Sequence, residues 1–266
     1  PPMPLPQRNR QTAQDDVSAL EQSAETIAAK PFLRAIYSEW YDLLVSALPT
    51  CAGPVLELGA GGGFLHERLP GVVTSDVLPG PGVDIILDGR CLPFAARSLG
   101  AVVMTDVFHH IPDVHAFLLE AGRCVQPGGV VAMVEPWRSL WSTFVYTHLH
   151  HEDFKPRAVD WAFPAGHPVS AANGALPWIV FGRDRDTFNR DFPQWTVSRI
   201  LPMMPFRYLL SGGVSYPAFV PNWSHGFWRG CERILSPLIR WTAMFALVVL
   251  TRTDALPSTS GDRCEH

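Results

Sequence analysis

Val55-Leu56-Glu57-Leu58-Gly59-Ala60-Gly61-Gly62-Gly63-Phe64 is the stretch whose reading decides the fold of this chain. Val55–Leu58 predicts a short buried strand, and Phe64–Leu69 the helix that follows it. The connection between them is an E-x-G-x-G-x-G pattern. Glycines let a backbone turn sharply and let a ligand approach the main chain with no Cβ in the way. Amide groups at a helix start favour a carboxylate or phosphate. A dinucleotide loop, G-x-G-x-x-G counted from Gly59, would need glycine at position 64, which is Phe64. That mismatch counts against NAD and FAD.

Outward from this loop, elements alternate. Val72–Asp76, Val83–Leu87 and Ala101–Thr105 read as strands, Val114–Cys124 as a helix, and Gln126–Gly129 as a Pro-Gly-Gly turn into the strand Val130–Glu135. Trp195–Ile200 and Met244–Arg252 are two later strands. Near-continuous Val/Ile/Leu strands alternating with helices predict an α/β, Rossmann-like, doubly wound sheet covered on both faces. Before the loop, Ala19, Leu20, Ile27 and Ala28 mark one amphipathic stretch. A stronger one follows Pro31, through Phe32, Leu33, Ile36, Tyr37, Trp40, Tyr41, Leu43 and Leu44. Residues 1–14 are rich in Pro and polar residues and read as a disordered tail, 15–252 as the domain, and 253–266 as a polar tail. Within the domain, about 137–193 and 202–240 carry Trp, His, Pro and Phe without periodicity, as inserted, aromatic-rich, substrate-side material.

The remaining chemistry-bearing segments sit at strand ends. Asp76, in Ser75-Asp76-Val77, closes the second strand 17 residues after Gly59, where a carboxylate can accept ribose hydroxyls of a nucleoside. Asp88-Gly89 offers a carboxylate and an amide to an adenine edge, or simply an Asp-Gly turn. Thr105-Asp106-Val107-Phe108-His109-His110 leaves a buried strand at its carboxyl end, where open parallel sheets bind ligands. The cluster Thr147-His148-Leu149-His150-His151-Glu152-Asp153 could serve an acceptor, hold a metal, or be solvated. The absence of a nearby cysteine and the divergent directions of His150 and His151 argue against a metal site, and none is expected.

Bulk properties exclude several classes. The net charge of −4 comes with scattered Lys and Arg, so no nucleic-acid partner is expected. Five cysteines, none in a CxxC pair, and no signal-peptide core fit a reduced cytoplasmic setting. Ala243–Leu250 is far short of the ~20 apolar residues a membrane span needs. Trp137, Trp141, Trp161, Trp178, Trp223, Trp228 and Trp241 leave three readings open: a deep acceptor pocket, a face on lipid headgroups, or the core of a small cap.

As a set, VLELGAGGG, SDV, LDGRCLPF, VVMTDVFHHIPD and EAGRCVQPGGVVAMVEP resemble the class I S-adenosylmethionine-dependent methyltransferases of the small-molecule type, over about residues 31–136. The resemblance implies a seven-stranded sheet with an antiparallel last strand and S-adenosylmethionine as cofactor. It implies that Glu57, Gly59, Ala60, Gly61 and Gly63 border the methionine part, Asp76 and Val77 the ribose and adenine, Asp88 and Gly89 the adenine, and Thr105 with Asp106 the wall beside the sulfonium. The acceptor is then a small molecule, bulky or amphipathic, of the secondary-metabolite or glycolipid kind, with peripheral membrane contact as a further expectation. If the acceptor is a hydroxyl a base is useful, and His110, His150 and His151 are the candidates, with His109 beside them. The rival function is a catalytically idle relative that binds cofactor or a partner enzyme.

Overall fold

The computed structural model describes residues 7–50, 53–150, 152–163 and 172–253. Seven strands, β1 (Val55–Leu58), β2 (Val73–Asp76), β3 (Ile85–Ile86), β4 (Leu99–Thr105), β5 (Val125–Pro136), β6 (Trp195–Met203) and β7 (Phe245–Arg252), form one sheet in the order β3-β2-β1-β4-β5-β7-β6. The first five run parallel, and β7 is antiparallel to both β5 and β6. The order reverses between β1 and β4, so ligand chemistry is expected at the carboxyl ends of those two strands.

The helices are α1 (Gln7–Ala29), α2 (Pro31–Ser46), α3 (Val114–Cys124), α4 (Leu140–His148), α5 (Leu176–Trp178), α6 (Arg185–Asp191), α7 (Arg207–Ser211), α8 (His225–Ile234) and α9 (Ile239–Thr242). Their ends follow local chemistry. Pro31 opens α2 at a position where its missing N–H costs nothing. Asp113 caps α3 by accepting from the Ala116 amide at 3.0 Å, and Ser139 caps α4 with Ser142.

Strand side chains alternate between two cores. Leu56, Val102, Met104, Val131, Met133 and Val248 pack under α3 and the 137–193 insertion, through Trp161, Ile179, Phe181 and Phe188. Val55, Ala101, Val103, Ala132, Val134 and Leu247 pack under α2, through Phe32, Ile36, Trp40 and Leu44. On the second face a buried Arg207 joins α7 to its neighbours: it forks onto Glu39 of α2 at 2.9 Å twice, and donates to Glu232 of α8 at 2.6 Å.

Two expectations shift. The helix expected over Phe64–Leu69 is a single 3-10 turn, Leu65–Glu67. Pro70-Gly71 stops it after one turn, and the Phe64 amide is taken by the Tyr41 hydroxyl at 3.2 Å. The first helix starts at Gln7 rather than Asp15, taking in part of the stretch read as a tail; residues 1–6 lie outside the described residues, as do 254–266. Gln, Arg and Ala of QRNRQTAQ carry good helix propensity, which outweighs their polarity once the chain continues into α1. The tryptophans divide. Trp137 and Trp161 are buried core, whereas Trp223 is 84% exposed.

Candidate active site

Two cavities meet at the carboxyl edge of β1 and β4. The larger, of about 410 Å³, is walled by the glycine loop and roofed by Leu20, Ser23 and Ile27 of α1. Glu57, Gly59, Ala60, Gly61, Gly63, Asp76, Val77, Asp88, Gly89, Thr105 and Asp106 all line it. The smaller, of about 240 Å³, has an aromatic wall of Tyr146, Phe154, Tyr208 and Phe219, with the loop from Gly212 to Tyr216. Ser23, Asp106 and Val214 border both.

The loop works through close approach. A Cβ on Gly63 would lie 2.7 Å from the Tyr41 hydroxyl and 2.8 Å from the Ala60 carbonyl, and one on Gly62 would collide with the Ala24 backbone of α1. Gly59, at φ +70°, and Gly61, at φ +47°, occupy the left-handed region. With only a 3-10 turn behind the loop, the expected α-helix start is missing there, and the Ala60, Gly61, Gly63 and Phe64 amides are bonded to Ser75, Asp76, Ala60 and Tyr41. The Asp76 carboxylate accepts from the Gly61 amide at 3.0 Å and the Leu78 amide at 3.1 Å. Burial raises its pKa despite these bonds. Glu57, buried and facing the Asp76 charge, is pushed up to about 7. Asp88 is held by Arg90, which donates from its guanidinium at 2.6 Å and from its backbone amide at 2.9 Å. The Asp-Gly turn is also present, closed by the Cys91 amide on the Asp88 carbonyl.

Such a cavity fits a nucleoside with an amino-acid arm. The glycines leave room against the backbone, Asp76 stands at the end of β2, and the Thr105 hydroxyl is buried without a hydrogen-bond partner. Asp106 adopts φ +63°, rare for a residue with a side chain, which turns the chain away from β4 at the junction of the cavities. Burial pushes its carboxyl up to about 7, with His109 pulling down and Glu152 and Glu135 pushing up.

Behind Asp106 lies a polar triad that sequence spacing did not reveal. Glu135, at the end of β5, accepts from the Val107 and Phe108 amides and pairs with His109 Nδ1 at 2.7 Å. His109 Nε2 faces Glu152 at 3.4 Å, and His110 Nε2 lies 3.8 Å from the same carboxylate. Burial opposes charge on His109, but the two glutamates outweigh it and hold its pKa well above the usual value. Glu152 is lowered to about 2: burial opposes this, and the adjoining histidines prevail. His109, His110 and Glu152 bring ligand atoms within 4.8 Å of one another, as do Asp106, His109 and Glu135. That spacing would admit a metal ion, though the internal pairing already accounts for it. Of the candidate bases, His110 lines the larger cavity and His150 the smaller, where His150 Nδ1 accepts from the Glu152 amide at 3.2 Å. His151 lies outside the described residues.

Residues 56–133 match the family described as "Methyltransferase domain". No curated protein matches the chain in sequence. Among solved structures, it is similar to a Haloferax volcanii complex between the Trm112 methyltransferase activator and a protein assigned as a methyltransferase. That match is 14% identical, with a TM-score of 0.52, covering 91% of this chain and 96% of the other. At this identity the likeness concerns the fold. Geranyl diphosphate C-methyltransferase from Streptomyces coelicolor A3(2) is also similar, at 14% identity and TM-score 0.47, covering 83% of this chain and 81% of that one. So is a methyltransferase assigned to an antibiotic biosynthesis pathway of Anabaena variabilis, at 13% identity and TM-score 0.46, covering 80% and 96%.

Proposed function

We propose that this chain, whose residues 56–133 match a methyltransferase domain, is a class I S-adenosylmethionine-dependent methyltransferase that methylates a small, bulky or amphipathic acceptor, of the secondary-metabolite or glycolipid kind, seated in the aromatic cavity beyond Asp106. S-adenosylmethionine, when bound, supplies an electrophilic methyl group on a sulfonium. Under this reading Glu57 and the glycines from Gly59 to Gly63 hold its amino-acid arm, and the Thr105 hydroxyl gains a partner there. Asp76 and Val77 take the ribose and adenine, and Asp88 with Gly89 the far edge of the adenine.

One observation carries the acceptor assignment: Asp106 is the one carboxylate that borders both cavities among the described residues. In-line methyl transfer needs acceptor and donor aligned across such a junction, with water kept out. The Asp106 carboxylate takes the proton of an acceptor hydroxyl as the new bond forms. The His109–Glu135 pair supports the segment that presents it, since Glu135 holds the Val107 and Phe108 amides. His110 and His150 are the alternative proton acceptors, one on each side of the junction.

Tyr146, Phe154, Tyr208 and Phe219 suit an apolar body, and His150, Glu152 and Asp106 suit a polar head. An amphipathic acceptor of the glycolipid kind would lie at a lipid surface, and we place the enzyme in peripheral contact with one. Free thiols at Cys91, Cys124 and Cys231 fit a reducing, cytoplasmic setting. Among the described residues no helix is long and apolar enough to cross a membrane. The test is transfer of labelled methyl from S-adenosylmethionine into lipid and small-molecule extracts of the source cells. Label in an amphipathic product, abolished in Asp106→Asn with cofactor affinity retained, is the expected result. Cofactor binding with no labelled product from any extract would restore the idle-relative reading.

A further inference from the structure

The stretch from Tyr216 to Trp241 ends in a surface that no part of the described fold covers. Trp223 is 84% exposed, Ile234 80% and Phe227 65%, while Tyr216, Phe219, Leu238 and Trp241 are exposed as well. Phe227 and Ile234 are seven residues apart on α8, two turns along the same side, with Gly230 between them. The opposite side is anchored: Glu232 is buried on Arg207, and Trp228 packs against the core beneath α2. The apolar side is therefore presented outward by a helix anchored from behind through Glu232 and Trp228.

Its charge is one-sided. Arg229, Arg233 and Arg240 lie in α8 and α9, with Arg240 stacked at 3.6 Å over the Trp241 ring. The single acidic residue from Tyr216 to Trp241 is Glu232, which the Arg207 ion pair removes from the surface. Arg229 leans back onto Glu39 of α2 at 3.4 Å, so a chain of net charge −4 here turns Arg233 and Arg240, beside exposed indoles, to solvent. Indole and guanidinium side by side match the lipid interface, where rings sit among headgroups and cations meet anionic phosphates. Tyr216 and Phe219 belong both to this exposed stretch and to the lining of the smaller cavity.

We propose that the α8–α9 face docks this enzyme on an anionic membrane surface, with the acceptor cavity opening beside the contact. The proposal rests on the amphipathic-acceptor reading only for its purpose; the surface itself stands on exposure and charge. The docked orientation lets an acceptor pass from the headgroup layer along Phe219 and Tyr216 toward Asp106 without its apolar body crossing water.

The test is co-sedimentation of the tag-free full chain with large vesicles of phosphatidylcholine alone or mixed with phosphatidylglycerol. Binding to the mixed vesicles is expected, weakened by salt. It should fall at least about tenfold in Trp223→Ala/Phe227→Ala and in Arg233→Glu/Arg240→Glu, whose exposed positions leave the fold and S-adenosylhomocysteine binding unchanged. No sedimentation with either vesicle overturns the proposal. So does equal binding to both vesicles, or full binding by both variants. A concentration-dependent dimer in sedimentation velocity, lost in Trp223→Ala/Phe227→Ala and unaccompanied by vesicle binding, would make a second copy the occupant and overturn it too. Vesicle binding without any methylated lipid product would sink the acceptor reading and leave the surface standing.

Discussion

The Asp76 carboxylate accepts a hydrogen bond from the Gly61 amide at 3.0 Å, tying the end of β2 to the glycine loop. One side chain therefore shapes the loop and lines the larger cavity. Asp76→Ala should cost one or two charge-assisted hydrogen bonds at ~1.5–3 kcal/mol each, a loss of at least about tenfold in S-adenosylmethionine and S-adenosylhomocysteine affinity by calorimetry. Asp76→Asn, which keeps the shape and one acceptor oxygen, should lose less. Unchanged affinity in Asp76→Ala would remove this residue from the ligand site.

In the proposed role, Asp106 should give the reaction its pH dependence. Its carboxyl is raised to about 7, chiefly by burial, so it is protonated below that pH and competent as a base above it. Methyl transfer to a hydroxyl acceptor should rise through an apparent pKa near 7 to a plateau. In Asp106→Asn that limb should vanish, with kcat reduced by ~10²-fold or more and cofactor affinity held. An unaltered pH profile in the variant would transfer the role to His110 or His150.

The Arg207 fork is a stability determinant rather than part of the chemistry. Replacing it by Met leaves the buried Glu232 with only its two backbone donors and Glu39 with Arg229 and His225, a loss of up to roughly 3 kcal/mol in denaturant unfolding. A triple variant, Arg207→Met with Glu39→Leu and Glu232→Leu, should recover most of that loss. Failure to recover would mean the backbone bonds from Phe206 and Arg207 to Glu232 matter more than the ion pair.

Gly230 offers a gain. It sits inside α8, and an added Cβ would meet nothing within 4 Å. Gly230→Ala should stabilise the protein by ~0.5–1 kcal/mol, raising the calorimetric Tm by a few degrees. A fall in Tm would show that α8 is held differently from the rest of the fold.

What could be read in advance followed from local rules. The runs Val55–Leu58 and Ala101–Thr105 are apolar enough to be buried on both faces, and Asp113 stands one residue before α3 as a cap should. The Phe64–Leu69 helix misled because its side chains suit a helix, while Pro70-Gly71 and the Tyr41 hydroxyl decide its length. The His109–Glu135–Glu152 triad was illegible for another reason. Its members come together only when the sheet edge and the 137–193 insertion fold, with 26 residues separating His109 from Glu135. The indoles could not be sorted by composition: Trp161 and Trp223 are alike in sequence, and only packing makes one core and the other surface.

Lys30, at the junction of α1 and α2, donates to the backbone carbonyls of Gly213 and Tyr216, so the helix over the larger cavity is fastened to the loop over the smaller one. Lifting α1 to release a spent nucleoside must pull on that loop or part from it. The two chambers are thus tied through one side chain, and a movement of α1 over the larger would reach the wall of the smaller.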